Sequence, residues 1–254
     1  MIPKVIHYCW FGGKQKPPEI LRCIESWNVF LPDYQIQEWN EKNFNLDQAL
    51  FTSQAAQTKK WAFVSDYVRV WALNQFGGIY FDADVLVHKN FDGFLVHRAF
   101  TGFESIGYPF TAVWGSEKDH LLTRQLLNYY SHQKFINENG ELQTTPNTKL
   151  ISKIITGYGI NPEYDGLQFG TEGLTVYPSC VFCLGFESAI HYSTHLFLGT
   201  WVKDQQSKIE MQPYLQKKYE STIKNTRYFY QQSGRPLQKI KGMIKSTIRL
   251  FKDK

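Results

Sequence analysis

No stretch of this 254-residue chain stays apolar long enough to cross a membrane as a helix. Its start, Met1-Ile2-Pro3-Lys4-Val5, lacks the apolar run of a signal peptide, so the expectation is a protein that remains in the cytoplasm. Cysteine is scarce, with four residues and a single Cys-x-x-Cys pair, Cys180 and Cys183. A structural zinc needs four ligands, and Cys9 and Cys23 are too loosely placed to complete one, so the thiols read as ordinary reduced side chains. Repeats, low-complexity blocks and linker-like stretches are also missing. That favours one catalytic domain, residues 1–205, followed by a C-terminal helical segment, residues 206–254, with a basic amphipathic tail. Strong charge on the body is absent as well. The net charge is +5, and Arg235, Lys239, Lys241, Lys245, Arg249, Lys252 and Lys254, set against Asp253, account for all of it. A nearly neutral body argues against a nucleic-acid-binding domain, and a basic tail argues for a localised anionic partner.

What is present is ample for a buried core. Hydrophobic residues make up 43% and aromatics 16%, a load that suits stacking on sugars or bases and equally fills cores. Val5 to Trp10 is an apolar, β-branched and aromatic run ending at Gly12-Gly13, as expected of a buried first strand leading into a loop. Pro17-Pro18 opens a helix in which Ile20, Leu21, Ile24 and Trp27 recur at helical spacing. Pro32-Asp33 turns the chain into a second strand over 34–38, so the opening is β-α-β. Further helices are expected over 47–57, 62–75, 120–133 and 146–156, and a late strand over 174–177 that stops at Pro178. Residues 137–145 are polar and read as a loop.

Gly77-Gly78 ends the helix over 62–75 and leads into the apolar run Ile79-Tyr80-Phe81, which delivers Asp82-Ala83-Asp84. In an extended backbone residues i and i+2 point to the same side about 6.5–7 Å apart, so both carboxylates can address one hydrated divalent ion and the phosphates it carries. Val85-Leu86-Val87 continues the extended run. Within the preceding helix Asp66 and Arg69 stand three apart and project from one side. They read either as an exposed surface ion pair, or as a carboxylate and guanidinium that hydrogen-bond sugar hydroxyls and phosphate beside a metal.

Ser65-Asp66-x-x-Arg69, then Gly77-Gly78-Ile79-Tyr80-Phe81-Asp82-Ala83-Asp84, together with the opening Ile2-Pro3-Lys4-Val5-Ile6-His7-Tyr8-Cys9-Trp10, resembles the DXD-type glycosyltransferases of the family 32 kind. That family includes yeast initiating α-mannosyltransferases and bacterial capsule and lipooligosaccharide sugar transferases, with the glucosylating clostridial toxins more distant. The resemblance covers residues 2–92 and one late segment, His195-Leu196-Phe197-Leu198-Gly199-Thr200-Trp201, similar to the family's His-x-x-x-x-Ser-Trp signature with threonine in place of serine. It implies a GT-A type α/β domain with a Rossmann-like sheet, which binds a nucleotide-sugar at the carboxyl ends of its strands. It further implies a Mn²⁺ or Mg²⁺ ion with Asp84 as direct ligand, Asp82 on metal-bound water or the ribose, and His195 closing the shell. Trp10 matches the position that stacks on the nucleobase, and Trp201 accompanies the donor; each can equally be a core tryptophan. Asp66 and Arg69 would grip the donor sugar and steady the phosphates. The implied donor is a UDP-hexose, the acceptor a glycan or lipid-linked saccharide, and the configuration at the anomeric carbon is retained.

In the tail, Leu237, Ile240, Ile244, Ile248 and Phe251 recur at steps of three or four with basic residues on the other faces. This is the pattern of an interfacial helix drawn to anionic lipid on the inner face of the membrane, or of a helix docked on its own domain. Three other readings share parts of the sequence. Haloacid-dehalogenase-like phosphatases also use D-x-D after an apolar strand, but Leu86 stands where they carry threonine or valine. A carbohydrate-binding protein without catalysis would use the same aromatics and acids. A toxin-like transferase would place the sugar on a protein.

Overall fold

The computed structural model describes residues 1–105, 107–145, 147–183 and 190–199. The segment 206–254, its basic tail, and Thr200 and Trp201 lie outside these residues. Strand β1 (Val5–Cys9), helix α1 (Pro18–Phe30) and strand β2 (Gln35–Trp39) realise the expected β-α-β opening, with β1 and β2 parallel. Proline suits the first turn of α1 because an N–H there would have no partner inside the helix. The helix expected over 47–57 divides in two. Asn45 caps a short 3-10 turn at Leu46–Gln48, Ala49 is extended at φ −139°, and α2 (Leu50–Gln57) starts after it. Helix α3 (Trp61–Phe76) buries Val64, Val68, Ala72 and Leu73, and Gly77 ends it with φ +67°.

Strand β3 (Gly78–Phe81) follows immediately and lies parallel to β1. The join needs glycine: Gly78 has φ +114°, and a Cβ there would sit 2.5 Å from the Val5 carbonyl oxygen. Next come β4 (Val85–Val87) and then two central strands with no counterpart in the sequence reading, β5 (Ala99–Ser105) and β6 (Tyr108–Ser116). Gly102, Pro109 and Gly115 interrupt their apolar alternation, and such residues ordinarily demote a strand. Gly115 is there for packing, since a Cβ would lie 2.0 Å from the Phe100 ring.

Helices α4 (Leu121–Ser131) and α5 (Asn147–Thr156) occupy the expected regions. They are followed by β7 (Gln168–Phe169), β8 (Leu174–Tyr177), the single turn α6 (Ser179–Phe182) and β9 (Ser193–His195). The main sheet runs β2-β1-β3-β6-β5-β8-β7. It is mixed: β1 is parallel to β2 and β3, β5 is parallel to β8, and β6 is antiparallel to both β3 and β5. Residues 85–87 do not extend it. β4 leaves to pair antiparallel with β9 in a separate two-stranded sheet. One face of the main sheet packs against α3, α4 and α5 through Val68, Leu126 and Ile151, the other against α1 and α6 through Trp27, Phe81 and Phe182. The expected α/β layering, a sheet flanked by helices, is what these contacts build. All four cysteines are buried and none is in a disulfide, and burial pushes the Cys9 and Cys23 thiols up to about 12, which makes them unreactive at neutral pH.

Buried His7 ties β1 to β2 and to the end of α3. The Trp39 Nε1–H donates to its Nδ1 at 3.2 Å, and its Nε2–H donates to the Gly77 carbonyl at 2.8 Å. The bond from Trp39 requires the neutral ring, because only a bare Nδ1 can accept it. Burial holds its pKa below the ordinary value, against the opposing effect of the Gly77 bond. With the folded pKa depressed, the unfolded chain binds the extra proton, so this stability is complete above about pH 6.5 and is lost as pH falls toward the depressed value. Urea titrations between about pH 7.5 and about pH 5 should show His7→Gln flattening the acid slope of stability by up to about 1.4 kcal/mol per pH unit, the contribution of one proton. An unchanged slope would show that His7 titrates alike folded and unfolded.

Candidate active site

The site gathers at the carboxyl end of β3. The chain leaves that strand with Asp82 N–H donating to the Ala112 carbonyl at 2.8 Å, and Val85 N–H then donates back to the Asp82 carbonyl at 3.0 Å. Asp82-Ala83-Asp84 is therefore a closed turn between two sheets, not the extended run expected from the sequence. The two carboxylates still converge, because the turn brings them round to β9. Ligand atoms of Asp82, Asp84 and His195 all lie within 4.8 Å of one another. Two hard carboxylate oxygens and one imidazole nitrogen form a donor set that suits a Mn²⁺-like ion.

Asp84 is the most firmly held of the three. His195 Nε2–H donates to its Oδ1 at 3.1 Å, Leu198 N–H donates to its Oδ2 at 2.9 Å, and Leu196 N–H donates to its carbonyl oxygen at 3.0 Å. Burial raises the Asp84 pKa, but the His195 charge and the two donors outweigh it and hold the carboxyl below its usual range. For His195 the balance is the mirror image: burial lowers its pKa, and the Asp84 carboxylate raises it further, to a net upward shift. Phe197 follows with φ +49°, an uncommon conformation for an aromatic residue, and its ring lies tilted at 48° to that of His195, with centroids 4.0 Å apart.

Helix α3 supplies the second half. Arg69 is buried, and its guanidinium meets Asp66 Oδ1 at 2.9 Å and Asp82 Oδ1 at 3.4 Å, while its plane lies 4.8 Å over the Tyr80 ring. The exposed-pair alternative for Asp66 and Arg69 is excluded, since their side chains keep only 14% and 7% exposure. Burial works against the Arg69 charge, but Asp82, Tyr80 and Asp66 together secure it. Burial pushes the Asp66 carboxyl up to about 7 against the pull of Arg69, with Asp82 adding to the rise. The Ser65 hydroxyl donates back to the Trp61 carbonyl within the helix, and its own carbonyl accepts Arg69 Nε–H at 3.4 Å.

Two residues of the site were not picked out in the sequence. Asn147, first residue of α5, donates its side-chain N–H to Asp66 Oδ1 at 2.8 Å, and the Tyr80 hydroxyl donates to Asp82 Oδ1 at 3.0 Å. Arg69 and Asn147 thus both meet Asp66 through its Oδ1. Pro146 does signal a helix start at this point in the sequence, but nothing signals its approach to a residue 81 positions earlier. Trp10 stands apart from the acid cluster at the carboxyl end of β1, partly buried, its indole N–H donating to the Lys14 carbonyl at 2.7 Å and Lys16 Nζ 5.7 Å over its ring. Lys16 is held there by Glu38 at 2.7 Å. Trp201 lies outside the described residues.

The family model for capsular polysaccharide synthesis proteins matches residues 1–113, a span that holds Trp10, Asp66, Arg69, Asp82 and Asp84 but ends before Asn147 and His195. A glycosyltransferase of Acanthamoeba polyphaga mimivirus is 28% identical over 176 residues, covering 63% of this chain and 67% of that protein. Among solved structures, the PaToxG glycosyltransferase superposes with TM-score 0.45 at 18% identity, covering 62% of this chain and 70% of its own. A glycosyltransferase involved in glycosylation of the major capsid of PBCV-1 superposes with TM-score 0.43 at 11% identity, covering 82% and 98%. In sequence, the chain is thus similar to a capsular polysaccharide synthesis family and to a viral glycosyltransferase.

Proposed function

We propose that this glycosyltransferase moves a hexose from a nucleotide-sugar, with UDP-hexoses favoured, to a glycan or lipid-linked saccharide in surface polysaccharide synthesis. The observation that carries the reading is the convergence of Asp82, Asp84 and His195 next to the buried Asp66–Arg69 pair. A divalent cation of the Mn²⁺ or Mg²⁺ type, when bound by those three residues, supplies neutralising charge to a diphosphate leaving group. Arg69 adds a fixed positive charge beside Asp82 for phosphate oxygens, and its guanidinium is held by Asp66 and Asp82. Asp66, met at Oδ1 by Arg69 and Asn147, offers its carboxylate to a hydroxyl of the donor sugar. Trp10 offers an indole face for the base, a contact of about 1–3 kcal/mol. Retention of anomeric configuration is part of the proposal on the strength of the family resemblance. So is residence in the cytoplasm with the 234–254 tail against an anionic inner membrane face, for which its basic amphipathic pattern is the support.

The test is a panel of UDP- and GDP-hexoses with and without Mn²⁺, read by thermal stabilisation and by slow release of nucleoside diphosphate. One donor should raise the melting temperature only with metal present and be hydrolysed only then, with chelator abolishing both effects. No response to any donor, or full response in chelator, overturns the reading.

A further inference from the structure

Asp84 and His195 face each other across a very small ladder. β4 and β9 contribute three residues each, paired Val85 with His195, Leu86 with Thr194 and Val87 with Ser193. An isolated two-stranded ribbon is at best marginally stable, so the register that places the third metal ligand must be enforced from outside. Helix α1 fixes β4: Trp27 Nε1–H donates to the Val85 carbonyl at 2.8 Å, and the Val87 N–H donates to Ser26 Oγ at 2.9 Å. The α6 turn fixes the outer edge of β9, where N–H groups of Tyr192 and His195 donate to the carbonyls of Val181 and Cys183, each at 2.8 Å.

A third restraint crosses between the strands. Thr194 Oγ1 lies 2.8 Å from His88 Nε2, just beyond β4, and 2.8 Å from His191 Nε2, just before β9. The direction of each bond follows from one fixed end. His191 Nδ1 lies 3.1 Å from the Cys180 carbonyl, which can only accept, so Nδ1 carries the hydrogen. His191 is 5% exposed, and burial pushes its pKa down to about 3, so the ring is neutral and its Nε2 is a bare acceptor. Thr194 must then donate its single hydroxyl hydrogen to His191, and its oxygen is left to accept Nε2–H from His88. The chain of bonds thus runs one way, from His88 through Thr194 and His191 to the Cys180 carbonyl. It fixes the side chain adjacent to His195, on the opposite face of β9 from the metal ligand.

We propose that His88, Thr194 and His191 form a positioning relay for His195, a one-way hydrogen-bond chain that sets the register of β9 and so the aim of the imidazole at the metal shared with Asp82 and Asp84. The inference rests on the metal site proposed above. Supporting partners of this kind typically carry about 10–100-fold in metal affinity.

The experiment measures Mn²⁺ alone, by loss of the free-ion electron paramagnetic resonance signal, alongside the melting temperature without metal. Thr194→Val keeps the shape and removes the hydroxyl, and should weaken Mn²⁺ binding about 10–100-fold. Thr194→Ser restores the hydroxyl and should bind within about threefold of wild type, a rescue that a general loss of packing would not produce. Should Thr194→Val not fold, His88→Phe removes the first donor at a partly exposed ring and should weaken Mn²⁺ binding in the same direction. Wild-type affinity in Thr194→Val or His88→Phe overturns the relay, as does a serine variant as weak as the valine one. Absence of Mn²⁺ binding in the wild type instead overturns the metal reading, and the relay falls with it.

Discussion

Asp84→Asn should lower donor turnover by about 10³-fold or more while the protein stays folded. The substitution preserves shape, and one oxygen remains to accept the Leu198 N–H that the carboxylate now holds at 2.9 Å. What goes is a unit of negative charge at the centre of the Asp82–Asp84–His195 triangle, and an amide N–H₂ cannot replace an oxygen ligand on a hard cation. The loss falls on the stage at which the diphosphate gains charge, where a metal contributes several kcal/mol, and about 10³ in rate corresponds to about 4 kcal/mol. Steady-state kinetics on the donor identified by the panel, with circular dichroism as the folding control, decide the matter. Turnover within tenfold of wild type, at unchanged metal dependence, would remove Asp84 from the site. Asp82→Asn should be the milder change, because Asp82 already shares its charge with Arg69 at 3.4 Å.

Arg69→Met should cost about 3–5 kcal/mol of stability and nearly all activity. The guanidinium is the buried counter-charge for Asp66 and Asp82, and breaking such a pair by removing one partner leaves a carboxylate uncompensated in a poorly solvated place. Pairing the change with Asp66→Asn should recover a good part of the stability but none of the turnover, since the guanidinium fork proposed to position phosphate is still missing. Urea denaturation of the two single variants and the double variant gives the coupling directly. A cost below about 1 kcal/mol for Arg69→Met would mean that the pair behaves as an exposed one.

How far the sequence revealed this site depends on how local each part is. Asp82, Asp84, Asp66 and Arg69 were legible because each belongs to an element with a strong local signature, an apolar run stopped by acids or a helix closed by paired glycines. The β-α-β opening was legible for the same reason. The hairpin of β5 and β6 was not, since glycines at 102 and 115 serve the packing of neighbours such as Phe100 and carry no periodic signal. Nor was the departure of Val85–Val87 into a second sheet, because extended residues read alike whichever partner they take. Asn147 marked a helix start and nothing more, and its role comes from where α5 docks. Local pattern could not show that the acid pair sits in a turn, a feature set by the contact with β9. Trp10 stands at the end of β1 as expected, partly buried against the core on the α1 side, with its indole N–H tied to Lys14 in the loop that follows.

The bond between His195 and Asp84 closes a loop of 111 residues. Bringing the two ends of so long a segment together costs chain entropy, and the penalty must be met before any cation is gripped. A nascent polypeptide that has released Asp82 and Asp84 but not yet β9 offers only a pair of carboxylates, with no cage. An ion bound as proposed would accordingly recognise the finished topology rather than an early fragment, and its binding would add to the free energy of the native state alone. Divalent-ion concentration would then govern how much completed transferase persists in the cell as well as how fast it works.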